Sequence, residues 1–266
     1  MTQPFELALI GGPWGRRLAP RRAWIDELPW TEPLPGDAIG ARLVWTRTAF
    51  SEYASAAAFA GLTAALLAAG APIDLTAAAG DFIVDEIVHT EVAARLAGAL
   101  GGAVALDVDL SRLVRPPTPA AAADPLLWAA ELAVRTSCVG EALTVPMLKL
   151  ARDLAGSALI AGALTAIASD EASHAQLGGW ILDWAAPRLD DAARAHLAGV
   201  ATEAIAAFAP LLGGDCRDSG LGAVACDRYD PALAAALARA VVGPLAARGI
   251  VVTTSLAGGE HAAASA

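Results

Sequence analysis

One five-residue pattern occurs twice in this chain. It reads Asp85-Glu86-Ile87-Val88-His89 in the first half and Asp170-Glu171-Ala172-Ser173-His174 in the second. The chain holds four histidines, so half of them sit in this pattern. On a helix, residues three apart share a face, with Cβ atoms about 5–6 Å from each other. Glu86 with His89, and Glu171 with His174, are therefore each placed to reach one ion together. A carboxylate oxygen beside an imidazole nitrogen suits iron, manganese or zinc. The demand that two such faces meet inside one molecule narrows the fold to packed helices.

The rest of the sequence reads as helices of matching length. A helix is expected from Asp37 to about Ala69, ended by Gly70-Ala71-Pro72, and a second from Asp74 to about Leu100, closed by Gly101-Gly102. Residues 103–123, with Pro116, Pro117 and Pro119, form a long connection. Asp124-Pro125 is a cap followed by proline at the first helical position, and opens a third helix to about Leu154. A fourth follows Gly156-Ser157 and runs to about Trp184. Two further helices are expected, from Asp190 to about Leu212 and from Asp230-Pro231 to about Arg248, joined by a Gly- and Asp-rich loop. Only Phe5–Ile10 and Ile250–Val252 look strand-like. The expected organisation is an irregular, proline-rich N-terminal arm (1–36), a four-helix bundle (37–187) with its long crossover between helices 2 and 3, a C-terminal helical extension (188–252) and a polar tail (253–266).

A bundle site of this kind also needs one carboxylate from each of the other two helices. Glu52 lies on the first and Glu141 on the third, both among apolar residues where a lone ionised glutamate would be costly. There are 32 residues between Glu52 and Asp85 and 28 between Glu141 and Asp170. Each length fits an antiparallel hairpin whose ligands meet at similar height, since helices rise about 1.5 Å per residue. The order, Glu then Glu-x-x-His, is the same in both halves. Four carboxylates offset two divalent cations, and two neutral imidazoles complete the set, which favours a dinuclear site.

Composition removes other classes. A net charge of −10 and a pI near 4.8 argue against nucleic acid or an anionic membrane as partner. Three cysteines are too few for a four-thiolate iron–sulfur cluster, a zinc ribbon or a disulfide-built scaffold. The most membrane-like run, Ala54–Ile73, is Ala-rich and broken by Gly70 and Pro72, and reads as a buried core helix. No basic region precedes the first apolar stretch, so a cytoplasmic location is expected.

The set Glu52, Asp85-Glu86-x-x-His89, Glu141, Asp170-Glu171-x-x-His174 resembles the ferritin-like di-iron carboxylate superfamily. Within it, the Asp-Glu-x-x-His form is closest to bacterial di-iron monooxygenases and ribonucleotide reductase small subunits. The resemblance covers about residues 38–187 and implies an all-α, ferritin-like four-helix bundle holding two iron ions, or iron with manganese. It implies that Glu86 and Glu171 bridge or chelate the metals, that Glu52 and Glu141 are terminal ligands, and that His89 and His174 each bind one metal. Asp85 and Asp170 would accept from the other ring N–H of the histidines.

The expected function is O2 activation to oxidise or oxygenate a small organic substrate. With no cysteine cluster or dinucleotide fingerprint in the chain, electrons would come from an external reductase. A homodimer is among the possible assemblies. The same residues also fit a ferroxidase or iron-storage role, or a structural metal in a non-catalytic helical protein. Thr48, Ser55, Cys138 and Thr144 fall near the ligand face by helical spacing, where a hydroxyl could pass protons. Tyr53, next to a ligand, reads as a packed tyrosine. Gly178 and Gly179 either leave room for a substrate channel or permit close helix contact. Cys216 and Cys226 read as free thiols or a redox pair, and His196 and His261 as surface residues.

Overall fold

The computed structural model describes residues 2–34, 38–208 and 220–253, and these are mostly helical. Four long rods pack about a common interior. Helix α1 (Gly12–Asp26) precedes them. The first rod is α2 (Ile39–Ala68) and the second α3 (Ile73–Ala99). The third is composite: α4 (Pro125–Ala133), a π-helical stretch (Val134–Glu141) and α5 (Ala142–Asp153). The fourth is α6 (Ala158–Ala185). Rods α2 and α3 pack along their lengths, as do the third rod and α6, while α2 also meets α4 and α3 meets α6.

The expected boundary residues act as read. Gly70 at φ 64° ends α2, and Gly101 and Gly102 at φ 109° and 106° end α3, in a left-handed conformation that costs glycine little. The Asp124 carboxylate accepts from the backbone N–H groups of Leu126 and Leu127, and Ser157 accepts from Ile160 N–H. Asp37, expected to cap the first rod, lies outside the described residues.

Three expectations need correction. The N-terminal arm is not irregular: α1 starts at Gly12-Pro13, where proline's missing N–H is no loss. It is held by ion pairs to residues of α3: Arg21 to Asp81 at 2.8 Å, Arg22 to Glu91 at 2.5 Å and Asp26 to Arg95 at 2.8 Å. Ile25, near the end of α1, is fully buried, and Trp24 and Trp30 pack on the same core. The only strands among the described residues are two residues each, β1 (Gln3–Pro4) and β2 (Asp107–Val108), paired antiparallel; Phe5–Ile10 and Ile250–Val252 form none. The last expected helix begins earlier, at Cys226, with Pro231 inside it.

The C-terminal elements cover the third rod. Helix α7 (Asp191–Ala206), capped by Asp190, packs on the π-helical stretch and α4. Helix α8 (Cys226–Ala236) packs on α5, and a second π-helical stretch (Leu237–Val242) leads into the single turn α9 (Gly243–Ala246). Helix α2 is long and apolar enough to cross a membrane. Its buried face, including Trp45, Phe59 and Leu62, packs inside the protein.

Candidate metal centre

All six residues picked out by the motif are buried: Glu52 and Glu141 are 7% and 5% exposed, Glu171 is 1% exposed, and Glu86, His89 and His174 are not exposed at all. They come from all four rods. Helix α2 carries Glu52, α3 carries Glu86 and His89, the end of the π-helical stretch carries Glu141, and α6 carries Glu171 and His174. Ligand atoms of Glu52, Glu86, His89 and Glu171 lie within 4.8 Å of one another.

The two central carboxylates each face both histidines. Glu171 turns Oε1 to His89 Nδ1 at 3.2 Å and Oε2 to His174 Nδ1 at 2.8 Å. Glu86 turns Oε2 to His89 Nδ1 at 3.8 Å and Oε1 to His174 Nδ1 at 3.0 Å. Glu52 Oε2 stands 3.7 Å from His89 Nδ1. Glu141 adjoins Glu171 and feels the charges of Glu86 and Glu52. One oxygen per histidine, twice over, is the arrangement that two carboxylates bridging a pair of ions would adopt.

Hydrogen bonding does not account for this convergence. Both oxygens of Glu86 and Nδ1 of His89 are buried with no hydrogen-bond partner. Burying such groups unpaired costs several kcal/mol, so native proteins rarely do it. Among the described residues, the carboxylates of Glu52, Glu86 and Glu171 form ion pairs with the two histidines and with no lysine or arginine. Donor atoms bound at about 2.1 Å and at right angles around one ion lie about 3 Å apart, the spacing found here. The donor set, four carboxylates and two imidazoles, fits divalent transition metals.

The proton balance of the metal-free site is strained in a consistent direction. Burial, then the charges of Glu86 and Glu171, raise the Glu52 carboxyl well above its usual range, against the pull of His89. Burial and the neighbouring carboxylates do the same to Glu141. Burial would lower His174, but contacts with Asp85, Glu171 and Glu86 outweigh it and lift it to about 11. Burial would raise Glu171, yet its close contacts with His174 and His89 bring it down to about 2. Without metal, then, the site holds protons that cations would displace.

The two aspartates act across the bundle. His89 Nε2 donates to Asp170 Oδ2 at 3.1 Å, and His174 Nε2 lies 3.5 Å from Asp85 Oδ2. Each aspartate thus faces the histidine of the opposite helix, placing the ring proton on Nε2 and leaving Nδ1 for a metal. Asp85 is itself paired with Arg21 of α1. That arginine was not foreseen, because 64 residues separate the pair and no local pattern marks it. Phe82 and Phe59 pack on the His174 ring at 4.2 and 5.2 Å between centroids, keeping that side apolar.

Several secondary expectations resolve. Gly178 permits close contact: a Cβ there would stand 2.5 Å from Cys138 Sγ and 2.8 Å from Ser137 Cβ. Helix α6 therefore presses directly on the π-helical stretch that carries Glu141. Burial pushes the Cys138 thiol up to about 12, which makes it inert at neutral pH. Ser55 and Thr136 line a cavity of about 460 Å³ that reaches Glu141. Thr144 is half-buried and is not part of that cavity's lining. His196 is not a free surface residue: its Nε2 bonds the buried carboxylate of Glu131, which also accepts from Thr118. Cys216 and His261 lie outside the described residues.

No protein-family model matches this chain, and neither curated proteins nor solved structures give a match.

Proposed function

We propose that this is a ferritin-like dinuclear metal protein that uses two iron ions, or iron with manganese, to activate O2 and oxidise a small organic substrate. The observation that carries the reading is the shared facing of two buried carboxylates: Glu86 and Glu171 each turn one oxygen to each histidine, and no lysine or arginine pairs with either among the described residues. Glu52, Glu86, Glu171 and His89 would hold one ion; Glu141, with Glu86, Glu171 and His174, would hold the other. Bound there, iron supplies electrons and open coordination to O2.

The chain's own residues set the conditions. Asp170 and Asp85 hold the ring protons on the outer nitrogens of His89 and His174. Phe59 and Phe82 exclude water beside His174. Four carboxylates balance the charge of two divalent ions. For an oxygenation, one oxygen atom enters the substrate and the other leaves as water, which requires two electrons and two protons from outside the substrate. The chain has no redox cofactor motif of its own, so a separate reductase is the expected donor. The cavity against Glu141 supports a reactant reaching the site over a metal held for structure alone.

Elemental analysis of the purified protein beside Glu86→Ala and His174→Ala tests the ligands. About two ions per chain in the wild type and clear loss in both variants are expected. Oxygen uptake by the reduced, iron-loaded protein tests the chemistry. A wild type that binds no metal, or an iron-loaded one that never consumes O2, overturns the reading.

A further inference from the structure

The cavity that reaches Glu141 has a lining at odds with the rest of the molecule. The protein carries a net charge of −10, yet Arg112, Arg115 and Arg135 all line this one cavity. Apart from Glu141, the only acidic lining residue among the described residues is Glu203. Glu203 pairs with Arg135 at 2.6 Å and is held below the usual carboxylate range by that hydrogen bond, with Arg115 adding a smaller pull. One carboxylate thus answers two guanidinium groups, while the charge of Arg112 is felt by Asp109, which is not among the lining residues. Among the described lining residues, three arginines stand against two glutamates.

One wall has the opposite character. It is built from Ala54, Ala57, Ala58, Gly61 and Leu132, small apolar residues that leave room between α2 and α4. At Gly61 a Cβ would meet Val114 and Leu132 only at 3.7 and 3.9 Å, so the space is set by small side chains and not by backbone collision. The cavity therefore brings arginines, a small apolar wall and the Glu141 carboxylate together in one lining.

We infer that this cavity binds the substrate, and that the substrate is an organic anion: a carboxylate or phosphate headgroup held by Arg112 and Arg115, with an apolar body directed at Glu141. Guanidinium groups match oxyanions in bidentate geometry, and such charge-assisted bonds are stronger than neutral ones. A volume of about 460 Å³ falls in the range of small-molecule sites. The naming of this molecule as a substrate rests on the oxidase reading above; its binding does not.

Isothermal titration calorimetry with octanoate, octyl phosphate and octanol separates the two. Metal content and O2 uptake are measured on the same preparations. Octanoate or octyl phosphate binds at least tenfold more tightly than octanol, and the tighter of the two identifies the headgroup. Arg112→Gln and Arg115→Gln each weaken the anion about tenfold, with metal content unchanged. Ala58→Leu, which narrows the wall, weakens octanol and the anions alike. Equal affinity for octanol and both anions, or arginine variants that bind as wild type, overturns the inference while leaving the metal reading intact. Tight anion binding by a protein that takes up no metal does the reverse.

Discussion

At the residue scale, the centre is defined by protons as much as by geometry. In the metal-free protein, Glu52, Glu141 and His174 all take up protons more readily than in the unfolded chain. For His174 the gain is full below its unfolded value of 6.5 and is lost as pH rises through about 11. For the two glutamates it begins to be lost above their usual value of 4.5. Glu171 has the opposite sign, but its loss falls between 4.5 and about 2, below the neutral range. Chelated protein should therefore lose thermal stability between pH 6 and pH 9. Metal-loaded protein should not, because ions replace the protons and bind more tightly as pH rises. Melting curves with and without chelator at both pH values check this; parallel falls in both states would contradict it.

Arg21 belongs to the same scale. It holds Asp85, which faces the His174 ring, and is not itself one of the six candidate ligands. Partners of this outer kind typically matter by 10- to 100-fold in metal affinity. Arg21→Ala is expected to weaken metal retention about tenfold in competition with a chelator. Arg21→Lys should restore part of it by returning the charge.

At the scale of elements, the third rod decides where Glu141 points. Its π-helical stretch widens the turn between Val134 and Glu141, and such turns collect at functional sites. Gly140 fits that turn because a Cβ would stand 3.1 Å from the Arg135 carbonyl oxygen. Pro146, inside α5, lacks the N–H that would bond the carbonyl one turn back. Gly178 completes the device by letting α6 press against Ser137 and Cys138. Gly178→Ala should therefore cost about 1–3 kcal/mol, the usual range for overpacking a filled core. Urea unfolding measures that loss. Metal analysis should show a deficit as well, since the displaced segment carries Glu141. The sequence marked the ends of this rod through Asp124-Pro125 and Gly156-Ser157, but not the widened turn. Caps are local chemistry, whereas the wider turn depends on what packs against it.

At the scale of the whole molecule, the N-terminal segment ties the rods together. Arg21 and Arg22 dock on α3, and the Glu32 carboxylate accepts from the backbone N–H groups of Ala158 and Leu159, at the start of α6. Ile25, fully buried, anchors the segment to the core. Ile25→Ala should destabilise the protein by about 2–5 kcal/mol, as expected for truncating a buried isoleucine. Denaturant unfolding gives the value, and chelator competition should show faster metal loss, because Arg21 leaves with α1. The arm looked irregular in sequence because prolines interrupt it and no apolar periodicity marks a helix. Its docking depends on charges 60 or more residues away.

What the amino-acid order determined by itself was local: Glu and His three apart on one helix face, glutamates placed at matching heights, and glycine, proline and cap residues at the rod ends. These follow from the geometry of a single helix. Only the folded molecule decided that Asp170 faces His89 and Asp85 faces His174, that Arg21 reaches Asp85, and that three arginines gather at one cavity. Those pairings join segments 64 to 89 residues apart, and no spacing rule along one helix reaches across a bundle.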